Sequence, residues 1–176
     1  MKTFGLILAV SIVAWAQASR PPRPVVASTR IQAVATINGA NFKPGTPIVL
    51  KLTVKNVSSQ AMKLGDSDPE NDFECTVTDA AGKELPRTDW GNRLLRHEYS
   101  LLSARSQLLD PGQQFQAEID LGHIYRIEQA GTYYARAVDS TIFSNSVNGV
   151  DVTSVEESKR PIEKAFSNPV QFVVVP

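Results

Sequence analysis

The sequence predicts an all-β fold: an antiparallel sandwich of about seven to eight strands. Three observations carry that expectation. Apolar residues recur at every second position in several short runs, the spacing that puts one face of a strand inward. Clusters of Pro, Gly, Asn and Asp separate these runs at short intervals. A helix-compatible pattern is confined to one stretch, around Arg93 to Leu102.

Taken in order, Ile31 to Ile37 reads as a first strand, and Lys43-Pro44-Gly45 as the turn after it. Ile48, Leu50, Leu52 and Val54 then alternate with Val49, Lys51, Thr53 and Lys55, a strand with one face in a core. Turn residues fill Asn56 to Gln60 and Asp66 to Pro69, on either side of a short strand region near Met62 and Leu64. Phe73, Cys75 and Val77 alternate with Glu74, Thr76 and Thr78 until the turn Asp79-Ala80-Ala81-Gly82. After a long excursion over 86–107, the turn Asp110-Pro111-Gly112 leads into Phe115, Ala117, Ile119 and Leu121, again spaced by two. Thr132 to Val138 and Val170 to Val174 complete the series, separated by a polar tract over 145–165 read as a surface hairpin or loop. The string Phe143-Ser144-Asn145-x-Val147 recurs as Phe166-Ser167-Asn168-x-Val170, too short to imply duplication but suited to two strand starts.

Ahead of these strands, Lys2, an apolar run from Phe4 through Trp15 and the small-x-small tripeptide Ala16-Gln17-Ala18 form the three parts of a secretory signal peptide, expected to be cleaved after residue 18. The apolar run is shorter than the roughly 20 residues a spanning helix needs, and no later stretch is long enough, so no membrane span is expected after cleavage. Residues 19–29, with Arg20-Pro21-Pro22-Arg23-Pro24, read as an extended tether because proline fixes φ and removes a donor. The remaining 30–176 suffice for one core. The expected location is periplasmic or secreted.

The 176 residues carry 18 Lys and Arg against 18 Asp and Glu. A balanced chain has no bulk attraction for nucleic acid or anionic membrane, so neither is expected as a partner. Cys75 is the single cysteine and has no internal disulfide partner. It reads as a small core residue, leaving stability to burial.

Candidate sites are few. Asp66, Asp68 and Asp72, with Glu70 and Glu74, could gather carboxylate oxygens around calcium, the only metal this stretch suggests. An EF-hand is excluded, since the sixth and twelfth positions counted from Asp66 are Asn71 and Val77, where that loop needs Gly and Glu. The excursion 86–107 interleaves Arg87, Arg93, Arg96, His97 and Arg105 with Trp90, Tyr99 and several leucines. Arginine among aromatic and aliphatic groups is the composition of interface hot spots, which makes Trp90, Arg93, Arg96 and Tyr99 the candidate binding residues. The two histidines, His97 and His123, stand in no triad or zinc-ligand spacing. No catalytic residue and no cofactor is therefore expected. Asn56-Val57-Ser58 is a glycosylation sequon.

The run Gln129-Ala130-Gly131-Thr132-Tyr133-Tyr134-Ala135-Arg136 resembles the F-strand entry of immunoglobulin domains. That resemblance implies that Tyr133 is a corner tyrosine whose hydroxyl bonds back to the preceding turn, with Gly131 allowing the close approach. Ala135 stands where the disulfide cysteine would be, and the strand Ile48 to Val54 also lacks one. Pro44-Gly45-Thr46-Pro47, Lys55-Asn56-Val57-Ser58, Leu109-Asp110-Pro111-Gly112, Gly131-x-Tyr133 and Ser167-Asn168-x-Val170 occur in an order similar to that of secreted immunoglobulin-like domains of the uncharacterised bacterial type, without a disulfide. The implied function is a non-enzymatic exported module that recognises a protein or cell-surface component through its loops. A secreted proteinase inhibitor and a calcium-dependent adhesion module are the alternatives.

Overall fold

The computed structural model describes residues 25–65, 68–96, 106–139, 146–147, 150–151 and 162–176. The elements are β1 (Val25–Ala27), β2 (Ile31–Ile37), β3 (Asn41–Phe42), β4 (Val49–Asn56), β5 (Met62–Gly65), α1 (Pro69–Asp72), β6 (Phe73–Asp79), α2 (Asp89–Leu95), β7 (Ser106–Leu109), β8 (Gln114–Asp120), α3 (Leu121–Ile124), β9 (Gly131–Asp139), β10 (Ser146–Val147), β11 (Val150–Asp151), β12 (Ile162–Phe166) and β13 (Val170–Val174). Among the described residues the chain is thus mostly β, with three short helices. Among the described residues no helix is long and apolar enough to cross a membrane.

Two sheets share one core. In the smaller, β2, β4 and β8 pair antiparallel in the order β2-β4-β8. In the larger, β9 is central, with β6 along one edge and β12 and β13 along the other, all antiparallel. The period-two pattern decides which side chains face inward. Leu50, Leu52, Val54, Ala117 and Ile119 come from the small sheet; Phe73, Cys75, Val77, Tyr133, Ala135 and Phe172 come from the large one. Burying each large apolar side chain contributes about 1.5–3 kcal/mol, which is how the fold stands without a disulfide. By contrast, the exposed Lys51–Glu118 pair at 2.9 Å adds little, because water screens both charges.

The turn chemistry follows the sequence. Gly82 and Gly112 each adopt φ 80°, a left-handed conformation that glycine enters without steric cost. Asp79 Oδ1 accepts from the N–H groups of Ala81 and Lys83, both at 2.9 Å, closing the turn between β6 and the segment that follows.

Three features depart from the all-antiparallel, seven-to-eight-strand expectation. β1 runs parallel to β12, and β3 runs parallel to β13. The first places Val25–Ala27, expected as tether, on the sheet edge. Phe42 explains the second: it is buried and meets the Phe172 ring edge-on at 6.0 Å, so a two-residue segment crossing between sheets is held beside the last strand. The small ladders β5–β7 and β10–β11 raise the strand count further. Segments of two to four residues carry too few positions to display an alternating period. The helical turn expected at Arg93 to Leu102 begins earlier, at Asp89, because Thr88 caps it; its side chain accepts from Gly91 N at 3.0 Å. The predicted signal peptide, residues 19–24 of the tether and most of the 145–165 tract lie outside the described residues.

Asn168 joins the two sheets. Its amide accepts from Ala35 N at 2.9 Å and donates to Ala35 O at 3.1 Å, so one side chain stands in for a neighbouring strand at the edge of β2. Next to it, Ser167 Oγ accepts from Ala137 N at 3.0 Å, bridging the break between β12 and β13 along β9.

Candidate functional site

The three helices are built on sheet ends by local capping, and they converge. Asp68 caps α1 by accepting from Glu70 N at 3.0 Å, with Pro69 in the first turn, where a missing N–H costs nothing. Asp120 caps α3 through Gly122 N at 2.9 Å. Thr88 ties α2 to α3: its N–H donates to Ile124 O at 2.9 Å and its hydroxyl to His123 O at 2.6 Å. Gly91 lets the two approach, since a Cβ there would collide with the Ile124 carbonyl.

Glu70 is where the three meet. The Trp90 indole donates to Glu70 Oε2 at 2.6 Å, and His123 Nδ1 lies 2.9 Å from Oε2 and 3.1 Å from Oε1. A carboxylate only accepts, so this geometry assigns the proton to Nδ1 of His123. The Trp90 and His123 rings stack at 5.7 Å with 19° between their planes, and the Arg93 guanidinium sits 5.2 Å from the Trp90 ring centre. The result is a layered Arg93–Trp90–His123 arrangement pinned by one carboxylate, which is itself only 14 % exposed.

Beside this layer lies a cavity of about 210 Å³. Phe73, Cys75, Leu94 and Ile124 form its apolar side, and Glu70, Glu74, Arg87 and Lys164 its polar side. Three of those four charges are matched locally: Arg87 binds Glu84 at 2.7 Å, and Lys164 binds Glu74 at 3.2 Å. Arg87 also lies over the Tyr125 ring at 4.9 Å. The Tyr125 hydroxyl is 2.8 Å from both Cys75 O and Glu84 Oε1; its burial, reinforced by the Glu84 carboxylate, pushes its pKa up. Burial also pushes the Cys75 thiol up, from 9.0 to about 12, and Glu70 is the largest charge acting in the same direction. A thiol held protonated by burial is a weaker nucleophile than an exposed cysteine. Asn71 also lines the cavity, and among the described residues its buried Oδ1 has no hydrogen-bond partner.

The structure distributes the sequence-predicted residues as follows. Trp90 and Arg93 come together in the stacked layer, but Trp90 is half-buried with its N–H spent on Glu70, so it shapes the surface more than it presents itself. Arg96 is exposed at the end of α2, its N–H donating to Asn92 O at 3.2 Å. Tyr99, His97 and Asp66 lie outside the described residues. Asp68 and Asp72 turn inward on their own helix: Asp72 Oδ2 accepts from Asp68 N at 3.2 Å, while Asp68 Oδ2 accepts from Asn71 Nδ2 at 3.2 Å. Among the described residues no three His, Cys, Asp or Glu side chains are grouped to hold a metal. The Tyr133 hydroxyl donates to Gln129 O at 2.8 Å, and a side chain at Gly131 would press on that hydroxyl. The sequon residue Asn56 is fully buried, donating to Gln60 O at 2.7 Å and Leu109 O at 2.8 Å and accepting from Ser58 N and Oγ, so the folded chain offers no amide there for a glycan.

Glu70 and His123 are the site residues that sequence reasoning missed as a pair. They are 53 positions apart, and nothing in local spacing joins them. No family model matches the chain, and no curated protein matches it at a significant level.

Proposed function

We propose that the chain is exported, to the periplasm or beyond, and that its two sheets form an immunoglobulin-like sandwich serving as a non-enzymatic binding module for a protein or cell-surface component. The back-bond from the Tyr133 hydroxyl across four residues supports the immunoglobulin-like reading, because it is the corner geometry such domains use. Recognition is assigned to the outer surface of α2. The observation that carries it is Arg93, held on the Trp90 face; Leu95, two residues further along the same short helix, is 54 % exposed. A cation fixed by stacking loses little freedom on docking, and an exposed leucine on the same helix supplies apolar area.

Capture from the native envelope tests this. The wild-type protein and an Arg93→Glu/Leu95→Asp double variant, both checked for equal thermal midpoints, are immobilised side by side. A partner retained by the wild type and lost by the variant is the expected result; equal retention by both removes α2 as the recognition surface.

A further inference from the structure

We infer that the cavity beneath α2 is a site for an alkylammonium group, meaning a primary ammonium carried on an aliphatic stem. This deepens the recognition reading, since Leu94 and Leu95 of α2 both line the cavity.

The cavity is amphipathic in one direction. Phe73 and Ile124 are almost fully buried, and with Leu94 they offer an apolar wall against which methylene groups lose water. On the opposite chemistry, the fixed charges cancel in pairs until one is left over. Arg87 is neutralised by Glu84 and Lys164 by Glu74, whereas Glu70 has an indole N–H and an imidazole as its partners. Those donors orient the carboxylate without matching its full charge while the imidazole is neutral. A carboxylate has about four acceptor positions, so the bonds to Trp90 and His123 leave capacity for a further donor. Burial is the main reason the Cys75 thiol keeps its proton; of the charges acting on it Glu70 is the largest and favours the proton, while Arg87 opposes it. An anionic ligand would meet this field head-on, and a neutral one would leave Glu70 unmatched. A cation with an apolar stem satisfies both sides, either as a free amine or as a lysine side chain presented by a partner.

Titration of the purified protein by two-dimensional NMR tests the assignment, with n-pentylamine, n-pentanol and pentanoate as probes at one slightly alkaline pH. Pentylamine is expected to saturate a single site in about the millimolar range, shifting the Trp90 indole N–H and the Leu94 and Ile124 methyls. Pentanol and pentanoate should bind about tenfold more weakly or not at all. Glu70→Gln, which keeps an acceptor for Trp90 and removes the charge, should weaken the amine about tenfold. Lys164→Met uncovers Glu74 and should tighten it, a gain that general damage to the fold does not produce. An Nα-acetyl-lysine amide probe separates the sources: binding marks a presented lysine, and failure where pentylamine succeeds marks a free amine. Equal affinity for pentanol and pentylamine, or affinities unmoved by both variants, overturns the inference. If that happens while α2 variants still abolish partner capture, the recognition surface stands without the ammonium site.

Discussion

Tyr125 and Cys75 show how single buried groups set conditions for the whole fold. Both hold their protons more firmly in the folded chain than in the unfolded one, because burial disfavours the charged form. Between the unfolded and folded values the native state binds protons that the unfolded state has released. Stability from the Cys75 thiol is therefore complete below about pH 9 and is lost as pH rises toward about 12, at up to about 1.4 kcal/mol per pH unit, and that from Tyr125 is lost in the same direction at higher pH. Urea midpoints measured from pH 8 upward should fall accordingly. Cys75→Ala, which costs about 1 kcal/mol at neutral pH through the small space it leaves, should flatten that fall without abolishing it, since Tyr125 remains. An identical slope in the variant would refute the assignment to Cys75. Asn56 makes the complementary point about legibility. Its sequon marks it as a surface acceptor, yet all its hydrogen-bonding positions are used inside the protein. A three-residue motif says which chemistry is possible, while burial decides whether it is available.

Among the elements, most strands of five residues or more were readable and the shortest were not; β12 (Ile162–Phe166) is the exception, a strand at the end of the tract expected as a surface hairpin or loop. β2, β4, β6, β8, β9 and β13 each span five residues or more and coincide closely with runs of alternating apolar residues. Their periodicity is the direct imprint of one buried face. β1, β3, β10 and β11 have two or three residues, and their pairing is decided by what the rest of the chain leaves beside them. The helices fall between these cases. Asp68-Pro69, Thr88-Asp89 and Asp120 are each a capping signal in retrospect, but caps of this kind also begin ordinary turns. What commits them to helix is their convergence on Glu70, which only the tertiary fold supplies. The α2–α3 contact depends on Gly91, whose missing side chain admits the Ile124 carbonyl. Gly91→Ala, ordinarily a helix-favouring change, should here cost about 2–3 kcal/mol, measured by chemical denaturation, and should disturb the Trp90 indole resonance. A neutral or stabilising effect would mean that α2 and α3 are not packed as closely as described.

For the molecule as a whole, the fold places its chemistry at one end. β4 begins beside α3, where Leu121 N donates to Ile48 O at 3.0 Å, and runs to Asn56 at the far end, about 25 Å away at the rise of a strand. Leu95 therefore belongs to the helical end and Val57, 49 % exposed, to the opposite one. The composition of 86–107, where arginines and aromatics cluster, made Trp90, Arg93, Arg96 and Tyr99 the expected contacts. The structure turns Trp90 into the support for Arg93, and the carboxylate that orients it comes from a loop first suspected of binding calcium. Site-specific photocrosslinking in the producing cell distinguishes the two ends most directly, with a benzophenone amino acid at position 95 in one strain and at position 57 in another. A partner adduct from position 95 and none from position 57 is the predicted result. Adducts of equal yield from both positions, or from position 57 alone, would contradict recognition through α2.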